Sequence, residues 1–296
     1  MPGDVEWGVA PDLAPVLRVA ELYVHPVKSC AAIAVQSCEV DTRGPRHDRR
    51  FMIVGGREEF VTQREEPRLA LIQTAIEDQA LVLTAPRLAP HMAPLRVALE
   101  PAGHAVMATV WRDEVAAIDV GDAAARWLAD ALGAPALRLV FMPDTTLRPV
   151  DHAAAHGAVV GFADAFPFLV ISTASLAAVE AKAPGTGVAR RFRPNVVLDG
   201  LASFEEDAIE GVAIGDVVLR FVKPCARCRV IDVDPERGVL GREPLASLAH
   251  HRRRGRQVMF GENAVHEGVG TLRVGDVARV LGRKRAGGPE DASGAR

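Results

Sequence analysis

IGDVVLRFVKPCARCRVIDVDPERG, residues 214–238, is the stretch whose reading decides the fold. Apolar residues dominate Asp216–Val222, a run that predicts a strand, and β-type residues resume at Val230–Val233. Between these runs lies Lys223-Pro224-Cys225-Ala226-Arg227-Cys228-Arg229, two thiols three positions apart among three cations. The thiolate is the form that binds soft metals and attacks electrophiles, and neighbouring cations favour it. The chain has four cysteines, Cys30, Cys38, Cys225 and Cys228, so half of them fall in this heptapeptide. A dithiol redox motif normally sits at a helix N-terminus, whereas this pair emerges from a strand. A zinc knuckle needs further Cys or His ligands, yet Cys30 and Cys38 are remote and no histidine follows at finger spacing. Taken alone, the pair leaves redox chemistry, zinc and a buried inert pair open as readings.

Around this segment, the second half reads as strand Pro167–Ser172, helix Thr173–Ala183, strand Asn195–Asp199 and helix Arg242–His251. Strands Val258–Asn263, Gly270–Arg273 and Asp276–Leu281 close it. The first half is a series of short alternating runs: Arg18–His25, Ala34–Val40, Arg50–Val54, Phe60–Gln63, Leu69–Ile76, Ala80–Ala85, Pro94–Leu99 and Ala105–Trp111. Closely spaced strands with few helical windows predict a barrel or sandwich. Asp122 is expected to cap a helix over Ala123–Leu132, stopped by Gly133, with Ala123, Trp127, Leu128 and Leu132 as its apolar stripe. Leu137–Met142 reads as a strand, and 143–163 is irregular. The fold class is therefore mainly β with some α (α+β). A β-barrel-like domain is expected over 17–142, a linker and pocket-lining segment over 143–166, and a β-barrel-rich domain with peripheral helices over 167–284. Flexible tails are expected at 1–16 and 285–296.

Composition narrows the function. Apolar residues make up 49% and charged residues 25% of 296 positions, which describes an ordinary globular protein. A net charge of −3 argues against a general nucleic-acid binder. No secretory signal or membrane-spanning run is visible, which leads to the expectation of a cytoplasmic protein without a membrane partner. The Gly185-Thr186-Gly187 and Gly268-Val269-Gly270 clusters lack the third glycine of a dinucleotide loop, so no NAD site is expected. Asp232, Asp234 and Glu236 lack the spacing of a calcium loop and read as solvated residues. The basic run His250–Arg256 reads as a solvated helix end, with a docking patch for an acidic electron donor as the functional alternative.

Several polar groups accompany the thiols: His25-Pro26-Val27-Lys28-Ser29-Cys30, Asp48-Arg49-Arg50-Phe51, Thr62–Arg68 and Phe192-Arg193-Pro194-Asn195. Arginine suits bidentate capture of phosphate and other anions. Singly, each group reads as a surface ion pair. Together they suggest an anionic ligand near a soft-metal thiolate.

This constellation resembles the MOSC family, molybdenum-cofactor-binding proteins related to the C-terminal domain of molybdenum cofactor sulfurase. It is similar to the two-part form with an N-terminal β-barrel domain, which includes the mitochondrial amidoxime-reducing component and its bacterial relatives. The resemblance is carried by HPVKSC at 25–30, DRRFMIV at 48–54, VTQREEPRLALI at 61–72, FRPNVVLDG at 192–200, the stretch at 214–238 and VGD at 274–276. It covers nearly all of 17–282 in the family's order.

The resemblance implies that Cys228 ligates molybdenum of the molybdenum cofactor (Mo-molybdopterin), as metal ligand and catalytic centre, and that Cys225 is a supporting thiol. It implies that Ala226 and Arg227 lie against the cofactor. Lys28, Ser29, Arg49, Arg193 and Asn195 match cofactor-binding positions, the cations holding its phosphate. Asp164, Ala165 and Phe166 match a pocket-lining segment, the latter two contributing through backbone alone. The implied activity is reduction of small N-hydroxylated substrates such as amidoximes and hydroxylamines. Electrons would come from a separate donor protein, ferredoxin- or cytochrome-like with its reductase, since no flavin or iron–sulfur site is expected in this chain. A cofactor carrier or sulfur-transfer module is the alternative, and a CxxC thiol redox protein the second.

Overall fold

The first half of the chain supplies β1 (Arg18–Val24), β2 (Phe51–Val54), β3 (His104–Val110), β4 (Asp113–Asp119), α1 (Asp122–Leu132) and β5 (Arg138–Phe141). The second supplies β6 (Phe168–Ser172), α2 (Thr173–Lys182), α3 (Ala189–Phe192), β7 (Val196–Asp199), β8 (Ile209–Ile214), β9 (Val217–Arg227), α4 (Leu245–His251), β10 (Gln257–Glu267) and β11 (Ala278–Arg283). These come from a computed structural model that describes residues 16–56, 58–150 and 152–284; apart from Val16, the tails expected to be flexible lie outside the described residues. The architecture is mainly β with some α, as the alternating runs predicted. None of the strand orders among the described residues closes on itself, so the barrels are barrel-like stacks of open sheets. No helix among the described residues is long and apolar enough to cross a membrane.

An antiparallel sheet in the order β2-β5-β4-β3 carries the first core. Phe51, Ile53 and Leu139 pack there with Trp127, Leu128 and Leu132 of α1. Each such buried side chain contributes about 1.5–3 kcal/mol. The larger sheet runs Ile33–Val35, β1, β7, β6, β10, β9, β8, β11, with Arg253–Arg254 added beside β10. Its β6–β7 pair is parallel. β1 thus lies between the next strand in sequence, Ile33–Val35, and β7 of the second half, pairing antiparallel with both and matching Leu22 to Val35 on one side and to Val196 on the other. Its buried positions Val19, Leu22 and Val24 join a core with Val170, Val196, Leu198 and Leu219. Immediately after β1 the chain crosses back: Val27 bridges to Phe51, and the Lys28 N–H donates to the Phe51 carbonyl at 2.8 Å. The segment 25–30 therefore sits where the two sheet systems meet.

Several local readings differ from the structure. Phe60–Gln63 is not a strand: Phe60 makes an isolated bridge to Val54, and the Thr62 hydroxyl and N–H both donate to Glu65, turning the chain. Leu69–Ile76 divides into a 3₁₀ turn, Pro67–Leu71, and a strand, Gln73–Glu77, because Pro67 starts the turn and the Glu66 side chain caps it. The cap of α1 is Gly121, not Asp122, and the buried stripe uses Ala124 rather than Ala123. The run Val230–Val233 is largely a 3₁₀ turn, Arg229–Asp232. Asp232 is buried rather than solvated, and its carboxylate accepts from the Leu245 N–H at 2.8 Å at the start of α4. The His250–Arg256 run is not a simple helix end, since Arg253–Arg254 form a strand beside β10 and Arg252 pairs with Asp207.

The largest difference concerns the thiols. β9 does not stop at Val222 but runs through Pro224 and Cys225 to Arg227, paired with β10. Register shifts between Phe221 and Lys223 and between Pro224 and Ala226 mark bulges that absorb the proline. Cys228 is the first residue beyond the strand, with extended backbone, and heads the following turn.

Candidate functional site

One cleft gathers every residue that the resemblance marked as cofactor-binding or metal-ligating, though not Asp48, Arg50 or Lys223 of the quoted motifs. Lys28, Ser29, Arg49, Asp164, Ala165, Phe166, Arg193, Asn195, Ala226, Arg227 and Cys228 all line it, and Cys225 joins them. The loop after β1 brings Lys28 and Ser29, the loop before β2 brings Arg49, and the segment before β6 brings Asp164–Phe166. Arg193 and Asn195 stand between α3 and β7, and the end of β9 brings the thiols.

A buried polar hub ties the two halves together under this cleft. Asp48 accepts from the His25 N–H at 2.8 Å, from Arg49 Nη1 at 2.6 Å and from Asn195 Nδ2 at 3.0 Å. Asn195 Oδ1 accepts in turn from Arg49 Nη1 at 3.1 Å and from the Leu169 N–H at 3.2 Å. Arg49 Nη2 donates to the Arg193 carbonyl at 3.1 Å. Burial pushes the Asp48 carboxyl upward, against the Arg49 charge and these hydrogen bonds. Burial, then the charges of Arg49 and Arg193, drive His25 well below the usual imidazole range. It is therefore neutral, and because a carbonyl only accepts, its Nε2 carries the proton shared with Pro194 O at 3.0 Å. The hub also demands a glycine: a Cβ on Gly161 would lie 2.7 Å from the Arg49 carbonyl oxygen.

Lys28 is buried, and its ammonium donates to the Phe162 carbonyl at 2.8 Å and to Asp164. Burial lowers the Lys28 ammonium from its ordinary value, with Asp164 opposing. Desolvation tends to raise Asp164, but the Lys28 charge and the hydrogen bonds from Lys28 and Trp111 hold its carboxyl below the usual range. Lys28 thus arrives at the cleft already matched to a carboxylate. Arg193 does not. Its Nη1 donates to the Cys30 carbonyl at 2.7 Å, while its buried Nη2 has no partner. Burial, then the neighbouring Arg49 charge, lower its guanidinium to about 10.

Arg227 donates Nη1 to Cys225 Sγ at 3.0 Å and Nη2 to the Phe192 carbonyl at 2.6 Å, and its buried Nε has no partner. Along a strand, positions 225 and 227 share a face, so this contact follows from β9 continuing through the thiols. The supporting thiol is thereby engaged by a cation, while Cys228 is exposed at the cleft edge. Cys30 and Cys38 lie in the two cores, where burial pushes both thiols up to about 12.

A family model described as the MOSC N-terminal beta barrel domain matches residues 16–135, and one described as the MOSC domain matches residues 157–279. The chain belongs to the MOSC family. Among MOSC relatives, "Mitochondrial amidoxime-reducing component 1" of Homo sapiens is 33% identical over 92% of this chain and 85% of its own length. "Mitochondrial amidoxime reducing component 2" of Rattus norvegicus is 31% identical over 89% of this chain and 83% of its own. "Molybdenum cofactor sulfurase" of Bos taurus is 27% identical over 84% of this chain but only 30% of its own length.

The MOSC cleft also contains Ala163 and Asn263, which sequence reasoning did not single out, and Thr62 and Arg64, which it quoted without assigning them a cofactor contact. Thr62 and Arg64 belong to the segment already quoted, which read singly as a surface ion pair, and Arg64 does lie 3.5 Å from Glu65. Asn263 reaches the cleft through β10, opposite Lys223, and no local pattern marks it.

Proposed function

We propose that the cleft binds the molybdenum cofactor through Cys228 and that the chain reduces N-hydroxylated substrates with electrons from a separate donor protein. The observation that carries this reading is the exposed Cys228 thiol beside two arginines with unpartnered buried nitrogens, Arg193 Nη2 and Arg227 Nε. Those nitrogens fit the anionic phosphate of a pterin, which would complete their hydrogen bonding. Among the described residues no group of three or more His, Cys, Asp or Glu side chains could hold a metal ion, so a metal held here by Cys228 would need further donors from the ligand that carries it. A dithiolene-bearing pterin would supply soft donors of that kind. The names of the relatives, amidoxime-reducing components, support the reaction class.

When bound, the cofactor supplies two-electron redox chemistry. Reduction of an amidoxime consumes two electrons and two protons, breaks the N–O bond and releases an amidine and water. The chain's own residues do the rest. Cys228 ligates, Arg193 and Arg227 anchor the anionic end, and the Asp48–Arg49–Asn195 hub holds the cleft walls in register. Lys28 keeps Asp164 ionised at the cleft. The experiment is molybdenum analysis of protein made in a cofactor-competent host, with amidoxime reduction driven by a chemical reductant. Stoichiometric molybdenum with turnover, both lost in C228A, is the expected result, and molybdenum-free protein under those conditions overturns the reading.

The similarity to molybdenum cofactor sulfurase favours a second reading, a carrier or sulfur-transfer module that shares the cleft. Cofactor handover to an apo-enzyme without substrate reduction distinguishes it.

A further inference from the structure

Trp111 stands at the tip of the β3–β4 hairpin, where Val110 pairs with Asp113 and Trp111-Arg112 make the turn. Its φ of 59° lies in the left-handed region, which glycine or asparagine enters readily and a bulky aromatic does not. Trp111 is 47% exposed and belongs to none of the buried cores. A strained and exposed tryptophan is a poor choice for folding alone, and such outliers gather at functional sites.

Its contacts lead to the cleft. The indole Nε1 donates to Asp164 Oδ1 at 3.2 Å, the carboxylate that Lys28 also holds. The Arg64 guanidinium sits 4.6 Å from the Trp111 ring centroid, and the Phe60 ring packs 5.1 Å away. Asp164 and Arg64 both line the cleft. The hairpin is also anchored: Asp113 pairs with Arg148 at 2.7 Å, and buried Arg148 donates to the Gly161 and Ala163 carbonyls at 3.0 and 2.6 Å. Trp111 does not itself line the cleft, but its contacts with Asp164 and Arg64 set an anchored aromatic and guanidinium surface beside it, contributed by the half of the molecule opposite Cys228.

Indole and guanidinium faces attract flat π systems. We propose that Trp111, with Arg64, is a stacking subsite for the conjugated part of the substrate, so that the chain prefers aryl over alkyl N-hydroxylated compounds. The inference rests on the reductase reading, and its test separates the two. Benzamidoxime and acetamidoxime are compared as substrates of the molybdenum-loaded protein with reduced methyl viologen as donor. W111A is expected to lower the ratio of their kcat/KM values roughly fivefold, mainly through KM for the aryl compound, while W111F, which keeps a ring, preserves most of the ratio. Without a donor, benzamidoxime is expected to quench the tryptophan emission saturably, and W111F to lose that response, whereas acetamidoxime leaves it unchanged. Equal losses for both substrates in W111A overturn the subsite and assign Trp111 to supporting Asp164. If neither compound is reduced, the reductase reading falls and the quenching titration alone decides. Saturable quenching by the aryl compound then upholds the subsite, and its absence overturns it.

Discussion

Replacing Asp48 with alanine tests whether the buried hub, rather than apolar packing alone, holds the cleft walls together. The carboxylate accepts three hydrogen bonds, from His25, Arg49 and Asn195, and its side chain is 4% exposed against 12% for Arg49. Removing one member of a buried pair leaves the other charge uncompensated, which costs about 3–5 kcal/mol. For a chain of this size that corresponds to a fall of about 10 °C in Tm, from about 2–4 °C per kcal/mol. The assay is denaturant and thermal unfolding of cofactor-free protein for D48A, R49A and the double variant. Because the hub is one network, D48A/R49A is expected to recover stability relative to the sum of the single losses, with a coupling of about 2 kcal/mol. A D48A loss below about 1 kcal/mol, or strict additivity, would refute the reasoning.

Arg193 and Lys28 are expected to separate in function. R193A, which removes the unpartnered Nη2, lowers cofactor retention roughly tenfold or more with little change in the Tm of cofactor-free protein, read by molybdenum content after gel filtration. K28M acts first on Asp164, and shows as a shift in the pH profile of turnover before any loss of cofactor. Glu262 is fully buried beneath the thiol strand, and burial pushes its carboxyl up to about 8 despite the Lys284 ammonium. A raised folded value means that the folded protein binds more protons than the unfolded chain, so this stabilisation is complete below the unfolded value near 4.5 and is lost as pH rises toward 8. The Tm is therefore expected to decline from pH 5 to pH 8, and E262Q to flatten that decline; an unchanged slope rejects the assignment.

Short apolar runs located β2, β6 and β7, which are buried on both faces, whereas the half-exposed β3 showed a mixed pattern of polar and apolar positions. Such patterns could not show which sheet a strand joins. Arg18–Val24 reads the same whether it pairs with its sequence neighbour Ile33–Val35 alone or also with β7, and only the tertiary pairing shows that it does both. The continuation of β9 through Pro224–Arg227 was hidden for a related reason. Proline and cysteine interrupt the apolar pattern, and the bulges that accommodate them depend on β10, more than thirty residues later. At the site, the cation-bearing motifs were legible, but their partners were not. Lys28 and Asp164 lie 136 residues apart, and nothing local distinguishes a lysine matched to a carboxylate from an arginine nitrogen left open, as at Arg193.

The placement of β1 has a consequence for synthesis. As the chain leaves the ribosome, Val19, Leu22 and Val24 emerge more than a hundred and fifty residues ahead of their neighbours on β7. The leading half can complete its own smaller sheet and lay Ile33–Val35 along one edge of β1, but the other edge must stay open until the trailing half is translated. A nascent chain stalled before β7 therefore displays an adhesive edge, and chaperone capture should peak at that length and vanish once β7 has cleared the exit tunnel.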